Sequence, residues 1–198
     1  MKNKFLLMTI AILIIAMNTV AQVTGTFIDS RGNKTYKTDT IGKQIWMAEN
    51  LAYKASSGCW AYNDDITNVI KYGYLYNWET AKTVCPTGWH LPNDAEWTTF
   101  TDYLGGESIA GGKLKSTTGW NSPNIGANNG SGFTALPGGY HYSNGTFDHI
   151  GENGYFWSST DGNAGNAWSR GVSFNYGGVS RSGNDKENGF SVRCISDK

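Results

Sequence analysis

The chain has 198 residues, with 16 lysine and arginine residues against 16 aspartate and glutamate residues. This balance argues against nucleic acid or an anionic membrane surface as a partner, since both call for a strongly basic face. Only 16% of the residues are charged, whereas 14% are aromatic and 26 are glycine, which is typical of a loop-rich extracellular domain with little helix.

The first 21 residues have the pattern of a secretory signal peptide. Lys2 and Lys4 precede an apolar run over residues 5–17, and a small-x-small cleavage site ends at Ala21. The run is shorter than the ~20 residues that a spanning helix needs, so we expect no membrane insertion. We therefore predict cleavage near Ala21 and a single domain over residues 22–198, which is secreted or stays at the cell surface or in the periplasm of a bacterium.

The mature chain opens with three predicted strands. Residues 24–28, 34–40 and 44–47 are rich in threonine and large apolar side chains, and turn clusters over 29–33 and 41–44 separate them. The pattern predicts a small meander.

Two segments read as helices. Residues 72–83 place Tyr74, Trp78 and Ala81 on one face. In the second helix Asn93 is a natural N-cap, and Glu96 follows at the spacing of a capping box. We interpret Asp94 and Glu96 as helix-capping acids, not catalytic ones.

The second half reads as short strands joined by loops. Residues 121–132 predict a long irregular loop, and the Asn-Gly pair within residues 143–146 predicts a hairpin turn. The predicted strands are 133–136, 155–159, 167–176 and 190–195. Helices in the first half and strands in the second indicate an α+β fold.

Three cysteines in an exported chain imply one disulfide and one cysteine left over. We pair Cys85 with Cys194. Cys59 is then either a buried free cysteine, which we favour, or a partner in an intermolecular disulfide.

Motifs along almost the whole mature chain resemble the Fibrobacter succinogenes major paralogous domain, a family of exported bacterial proteins. They include Trp46-Met-Ala-Glu-Asn-Leu51, Cys85-Pro-Thr-Gly-Trp-His-Leu-Pro92, Gly132-Phe-Thr-Ala-Leu-Pro-Gly-Gly139, Phe156-Trp-Ser-Ser-Thr160 and Gly189-Phe-Ser-Val-Arg-Cys194. The resemblance implies no established activity. Many members carry a further cysteine pair near the positions of Ala61 and Val69, and here that pair is absent.

More distantly, residues 91–97, 157–159 and 189–194 are similar to the formylglycine-generating branch of the C-type-lectin-like fold. That resemblance implies a compact α+β domain with two helices, a twisted antiparallel sheet and long surface loops. Formylglycine chemistry requires a pair of reactive cysteines in a cleft. Because Cys194 is assigned to the structural disulfide, we do not expect this activity.

The sequence carries no recognisable catalytic or metal-binding motif. His90, His141 and His149 lack zinc-site spacing, and there is no Gly-x-Ser-x-Gly nucleophile elbow. Oxygen ligands that calcium could use are present at Asn63-Asp64-Asp65 and at Asn184-Asp185. Their spacing does not match the EF-hand pattern of a calcium-binding loop. We expect no enzyme activity, no metal and no cofactor.

Eight tryptophans suggest a binding surface, because exposed indoles stack on sugars or anchor protein interfaces. In proteins of the lectin-like fold the segment before the last cysteine often displays the ligand-binding surface. The predicted ligand-binding residues are Trp120, Trp168, Arg170, Asn175, Tyr176 and Arg181. Strand alternation places Trp168, Arg170 and Tyr176 on one face, but it does not show which face is exposed. Equally, these aromatic side chains could fill the core.

Three functions remain open at this point. The first is a monomeric, non-catalytic recognition or adhesion module that binds an extracellular glycan or protein through residues 120–130 and 168–187. The second is an enzyme acting on extracellular polysaccharide, which a pair of carboxylates in one cleft would favour. The third is a structural surface protein, which burial of every tryptophan would favour.

Overall fold

A computed structural model describes residues 23–198. The predicted signal peptide and its cleavage site near Ala21 lie outside the described residues. Within them the fold is α+β, as predicted, with a few short helices beside two sheets.

The first sheet contains the predicted meander. Strands β1 (Val23–Asp29), β2 (Lys34–Ile41) and β3 (Gln44–Met47) pair antiparallel in sequence order. Two short segments from far along the chain complete it, since β13 (Ile195–Ser196) lies between β3 and β6 (Trp89–His90). The sheet therefore extends beyond the local meander through pairing of residues 195–196 with β3.

The second sheet is larger and is built mainly from the second half of the chain. Its order is β11 (Ser180–Asp185), β10 (Asn166–Ser173), β9 (Asn153–Asp161), β12 (Phe190–Ser191), β5 (Leu75–Tyr76) and β4 (Cys59–Trp60). The hairpin of β7 (Gly138–His141) and β8 (Phe147–Ile150) joins it through β9 and confirms the predicted Asn-Gly turn. The β7–β9 and β12–β9 contacts are parallel, so the expected single antiparallel sheet is wrong.

Several predicted strands have different bounds. The expected strand 190–195 is divided between the two sheets, and β10 ends at Ser173, short of the predicted residue 176. Residues 133–136 form no strand, because Ala135 makes only an isolated bridge to Lys115. The expected irregular loop 121–132 is present.

Within residues 23–198, four α-helices replace the expected two. They are α1 (Ile66–Tyr72), α2 (Trp78–Ala81), α3 (Asp94–Tyr103) and α4 (Glu107–Leu114), and a 3-10 turn covers Tyr62–Asp64. The predicted continuous helix 72–83 is wrong because Gly73 has a φ of 73°, after which Leu75 and Tyr76 form a strand with β12.

Helix α3 confirms the predicted capping box. The Asn93 side chain accepts from the Glu96 backbone N–H at 2.9 Å, and the Glu96 side chain accepts from the Asn93 N–H at 2.8 Å. Two backbone donors at this helix start are thereby satisfied.

Aromatic rings fill the space between the sheets and α3. Trp46 lies 4.7 Å from both Trp97 and Phe100, centroid to centroid, and Phe133 contacts all three rings. Four of the eight tryptophans are buried, and the other four (Trp60, Trp89, Trp120 and Trp168) are half-buried. The core thus accounts for half of the tryptophans.

The predicted disulfide between Cys85 and Cys194 is present. Cys59 is a half-buried thiol whose Sγ lies 3.4 Å from the Ala55 carbonyl oxygen, and burial raises its pKa. A structural disulfide is typical of oxidising extracellular compartments. Within residues 23–198, no helix has the length and apolar character needed to cross a bilayer.

Candidate functional site

Two loops that are distant in sequence meet at one end of the molecule. The Ile125 N–H donates to the Phe174 carbonyl at 2.8 Å, which joins loop 121–132 to the segment that follows β10. Both loops also dock on α4, because the Gly112 N–H donates to Gly177 O at 2.8 Å and the Gly112 carbonyl accepts from Asn128 N–H at 2.9 Å. The fold therefore brings together the two predicted recognition loops.

Glycines allow this close approach of three backbones. A Cβ on Gly111 would collide with the carbonyl of Gly178, and one on Gly112 would collide with the carbonyl of Gly126. Glycine is needed at positions 111 and 112 because the backbone of α4 directly contacts the backbones of the two loops there.

A buried lysine holds the underside of these loops. Lys115 is fully buried, and its Nζ donates to the carbonyls of Ser173 and Tyr176 at 2.7 and 2.9 Å. Burial lowers the pKa of Lys115 to about 8. Its ammonium also lies 5.6 Å from the centre of the Trp120 ring. Lys115 thereby connects Trp120 to the backbone of Tyr176.

The outer side of the same loops exposes aromatic and aliphatic side chains. Tyr176 is 50% exposed and Ile125 is 46% exposed. Asn175 is exposed beside Tyr176, while Trp120 is half-buried with its Nε1 donating to Ala135 O at 3.2 Å. We call these four residues, Trp120, Ile125, Asn175 and Tyr176, the loop surface.

The remaining predicted site residues form a second group around Asp94. The Arg181 guanidinium lies 3.4 Å from the centre of the Trp168 ring and binds Asp94 through Nε at 3.0 Å. Arg170, which pairs with Arg181 across β10 and β11, donates to Asp94 Oδ1 at 2.7 Å. We call Asp94, Trp168, Arg170 and Arg181 the arginine cluster.

The side chains of the arginine cluster bind one another. Burial alone would raise the pKa of Asp94, but the hydrogen bonds from Arg181 and Arg170 lower it. Arg170 is 1% exposed, so its predicted place at a ligand surface is corrected to an internal ion pair. Arg181 covers one face of the Trp168 indole, which leaves at most the other face for a ligand.

The structure thus divides the six predicted residues into two groups. Trp120, Asn175 and Tyr176 belong to the loop surface, while Trp168, Arg170 and Arg181 surround Asp94. Sequence reasoning interpreted Asp94 only as a capping acid and did not select Lys115 or Ile125. A lysine next to Leu114 and an isoleucine in an asparagine-rich loop carry no local signal for these roles.

A separate polar groove lies beside the β1–β2 turn and α2. It has a volume of about 530 Å³, within the roughly 300–1,000 Å³ range of ligand sites, and its lining includes Ser56, Ser57, Thr80 and Glu79. Arg31 lies over the Tyr53 ring at 4.0 Å. No pattern in the sequence predicted this groove.

The described residues include no group of three or more histidine, cysteine, aspartate or glutamate side chains arranged to hold a metal ion. A family model described as the Fibrobacter succinogenes major domain matches residues 40–196. No curated protein matches the chain, and no solved structure matches it.

Proposed function

The chain belongs to the Fibrobacter succinogenes major domain family, and we propose that it is an exported, non-catalytic recognition module. Its ligand would be an extracellular glycan or protein bound at the loop surface. The observation that carries this proposal is the junction of two polar loops whose outer side exposes Tyr176 and Ile125.

A preorganised surface loses less conformational entropy on binding than a flexible one does. The loop surface has this property because Lys115 and the glycines of α4 fix its backbone from inside. A tyrosine beside an asparagine is also suited to sugars and to protein interfaces, since the ring supplies contact area and the amide supplies hydrogen bonds.

The proposal extends to fold family and location. We propose a C-type-lectin-like arrangement, supported by the motif resemblance and by a disulfide that ties the region before α3 to the chain end. Export by a signal peptide cleaved near Ala21, followed by release or retention at the cell surface or in the periplasm, is consistent with that disulfide. We expect a monomer.

No specific observation supports either alternative function, the polysaccharide-acting enzyme or the structural surface protein. The 530 Å³ groove has a single carboxylate in its lining, Glu79, whereas hydrolysis by paired acids needs two. Four tryptophans are half-buried, so the aromatic side chains are not all committed to the core.

The test is binding of oxidised residues 22–198 to a glycan array and to extracellular matrix proteins, with and without a calcium chelator. We expect a hit that Tyr176→Ala and Ile125→Ser each weaken at least tenfold. Tyr103→Ala is the matched control, because Tyr103 is an exposed tyrosine on α3 outside the loop surface. Binding that survives both loop variants would refute the proposed site, and absence of any hit would refute glycan and matrix recognition.

A further inference from the structure

Another groove lies between β2, the turn after β3, and α1. It is distinct from the loop surface and from the polar groove beside α2. Its deeper part has a volume of about 220 Å³ and is lined by Lys34, Lys37 and Lys71. An adjoining shallower recess of about 300 Å³ lies over Ile66, and both parts share Val69, Ile70 and Lys34. We call the two parts together the lysine groove. It contains the three lysines and three apolar residues of α1, namely Ile66, Val69 and Ile70.

The three lysines give the groove an excess of positive charge. None of them forms an ion pair within the part of the chain that the structure describes. Lys34 and Lys71 lie instead over the rings of Tyr36 and Tyr72, at 4.9 and 4.7 Å. The groove is therefore basic although the mature chain has a slight excess of acidic residues.

Two other charges lie close to the groove. Glu49 is the one carboxylate in its lining, and that side chain already accepts from the Lys37 backbone N–H at 2.7 Å. Beneath the floor, the fully buried Arg193 donates to Asn50 Oδ1 at 2.6 Å and to the Met47 carbonyl at 3.1 Å. The carboxylates of Glu49 and Asp39 interact electrostatically with this guanidinium, so its charge is not counted toward the groove.

The rim of the groove is apolar, and no element within residues 23–198 covers its two isoleucines. Ile66 and Ile70 are 59% and 87% exposed, and they stand one turn apart on the same side of α1. On an ordinary solvent-facing helix surface the exposed side chains are charged or polar. Here they are aliphatic, and they stand beside a basic recess.

We propose that the lysine groove is a docking site for an acidic polypeptide segment of a partner protein that carries an aliphatic or aromatic side chain next to its carboxylates. The carboxylates would meet Lys34, Lys37 and Lys71, and the apolar side chain would cover Ile66 and Ile70. A glycan would leave these two isoleucines uncovered, and a flat bilayer could not bring its headgroups into a recess of about 220 Å³.

The test uses an array of hexapeptides that each contain two glutamates and one leucine or phenylalanine. Parallel arrays replace the glutamates by lysine or the apolar residue by serine, and the tightest peptides are measured in solution by fluorescence anisotropy. We expect binding from the acidic apolar array only. We further expect at least tenfold weaker binding for the Lys34→Gln, Lys37→Gln, Lys71→Gln triple variant and for Ile66→Ser, Ile70→Ser.

The matched controls change the same residue types elsewhere. Lys43→Gln, Lys54→Gln, Lys198→Gln and, separately, Ile109→Ser should bind as the unchanged chain does, and circular dichroism should show that all variants are folded. The proposal is overturned if no acidic apolar peptide binds, or if the groove variants keep full affinity. Binding to phosphatidylglycerol vesicles without peptide binding would also overturn it, by assigning the groove to a membrane surface.

Discussion

The buried ammonium of Lys115 lies 2.9 Å from the carbonyl oxygen of Tyr176, whose side chain is half exposed to solvent. A single buried side chain thus contacts the backbone of a residue that belongs to the proposed binding surface. The backbone of the loop surface is therefore held in part by a buried side chain from outside the loop.

Replacing Lys115 by methionine should loosen the loop more than it destabilises the domain. The carbonyls of Ser173 and Tyr176 would lose their donor, at a cost of about 1–3 kcal/mol each, while removal of a buried charge offsets part of that cost. We expect hydrogen exchange over residues 174–179 to quicken at least tenfold in mass spectrometry. Lys43→Met is the control, and unchanged exchange would show that the ammonium does not hold the loop.

Adding one methyl group at Gly111 should be severe. The new Cβ would collide with the Gly178 carbonyl, and a rigid backbone on both sides leaves little room for relaxation. We expect Gly111→Ala to lower the free energy of unfolding by about 2–4 kcal/mol in urea denaturation. Gly165→Ala should change it by less than about 0.5 kcal/mol, because nothing lies near that Cβ position. Equal effects would contradict backbone-to-backbone packing at α4.

His90 should make stability depend on pH. Its Nδ1 lies 2.6 Å from Asp197 and its Nε2 lies 2.9 Å from Glu96. Burial opposes protonation, but these two carboxylates raise the pKa of His90 above its usual value near 6.5. The folded state therefore binds the proton more tightly than the unfolded state does.

It follows that the stabilisation from His90 is complete below pH 6.5 and is lost as the pH rises through the higher pKa of the folded state. The measurement is the urea midpoint of the unchanged chain and of His90→Gln between pH 5 and 9. The difference between them should be largest at the acidic end and should shrink as the pH rises. A difference that is constant with pH would mean that protonation of His90 plays no part.

Removing the Cys85–Cys194 disulfide should destabilise the whole domain. The bond joins residues 109 positions apart and so restricts a large loop of the unfolded chain. We expect the Cys85→Ser, Cys194→Ser double variant to lose about 2–5 kcal/mol of unfolding free energy. Cys59→Ser should have a much smaller effect. If the double variant unfolds at the same urea concentration as the unchanged chain, the disulfide makes no net contribution.

Sequence patterns found the elements whose causes are local. The capping box at Asn93 and Glu96, the turn at Asn144-Gly145 and the meander of β1–β3 all depend on residues within a few positions of one another. The helix predicted over 72–83 failed because Leu75 and Tyr76 pair with β12, more than a hundred residues away.

Helix α4 was missed for the same physical reason. The pair Gly111-Gly112 is a poor helix former by propensity, and the two glycines are suited to this place because the Gly178 and Gly126 backbones lie against them. In the site, strand pairing explains why Arg170 and Arg181 are neighbours. Their shared partner Asp94 lies more than 70 positions earlier, beyond what a periodic pattern can reveal.

The placement of the last two strands has a consequence for how the chain acquires its structure. Strand β12 lies inside the second sheet and β13 lies inside the first, so both sheets stay open until residues 190–196 are available. The domain therefore completes its fold only when this segment is free to pair, and the pairings that complete both sheets join residues distant in sequence.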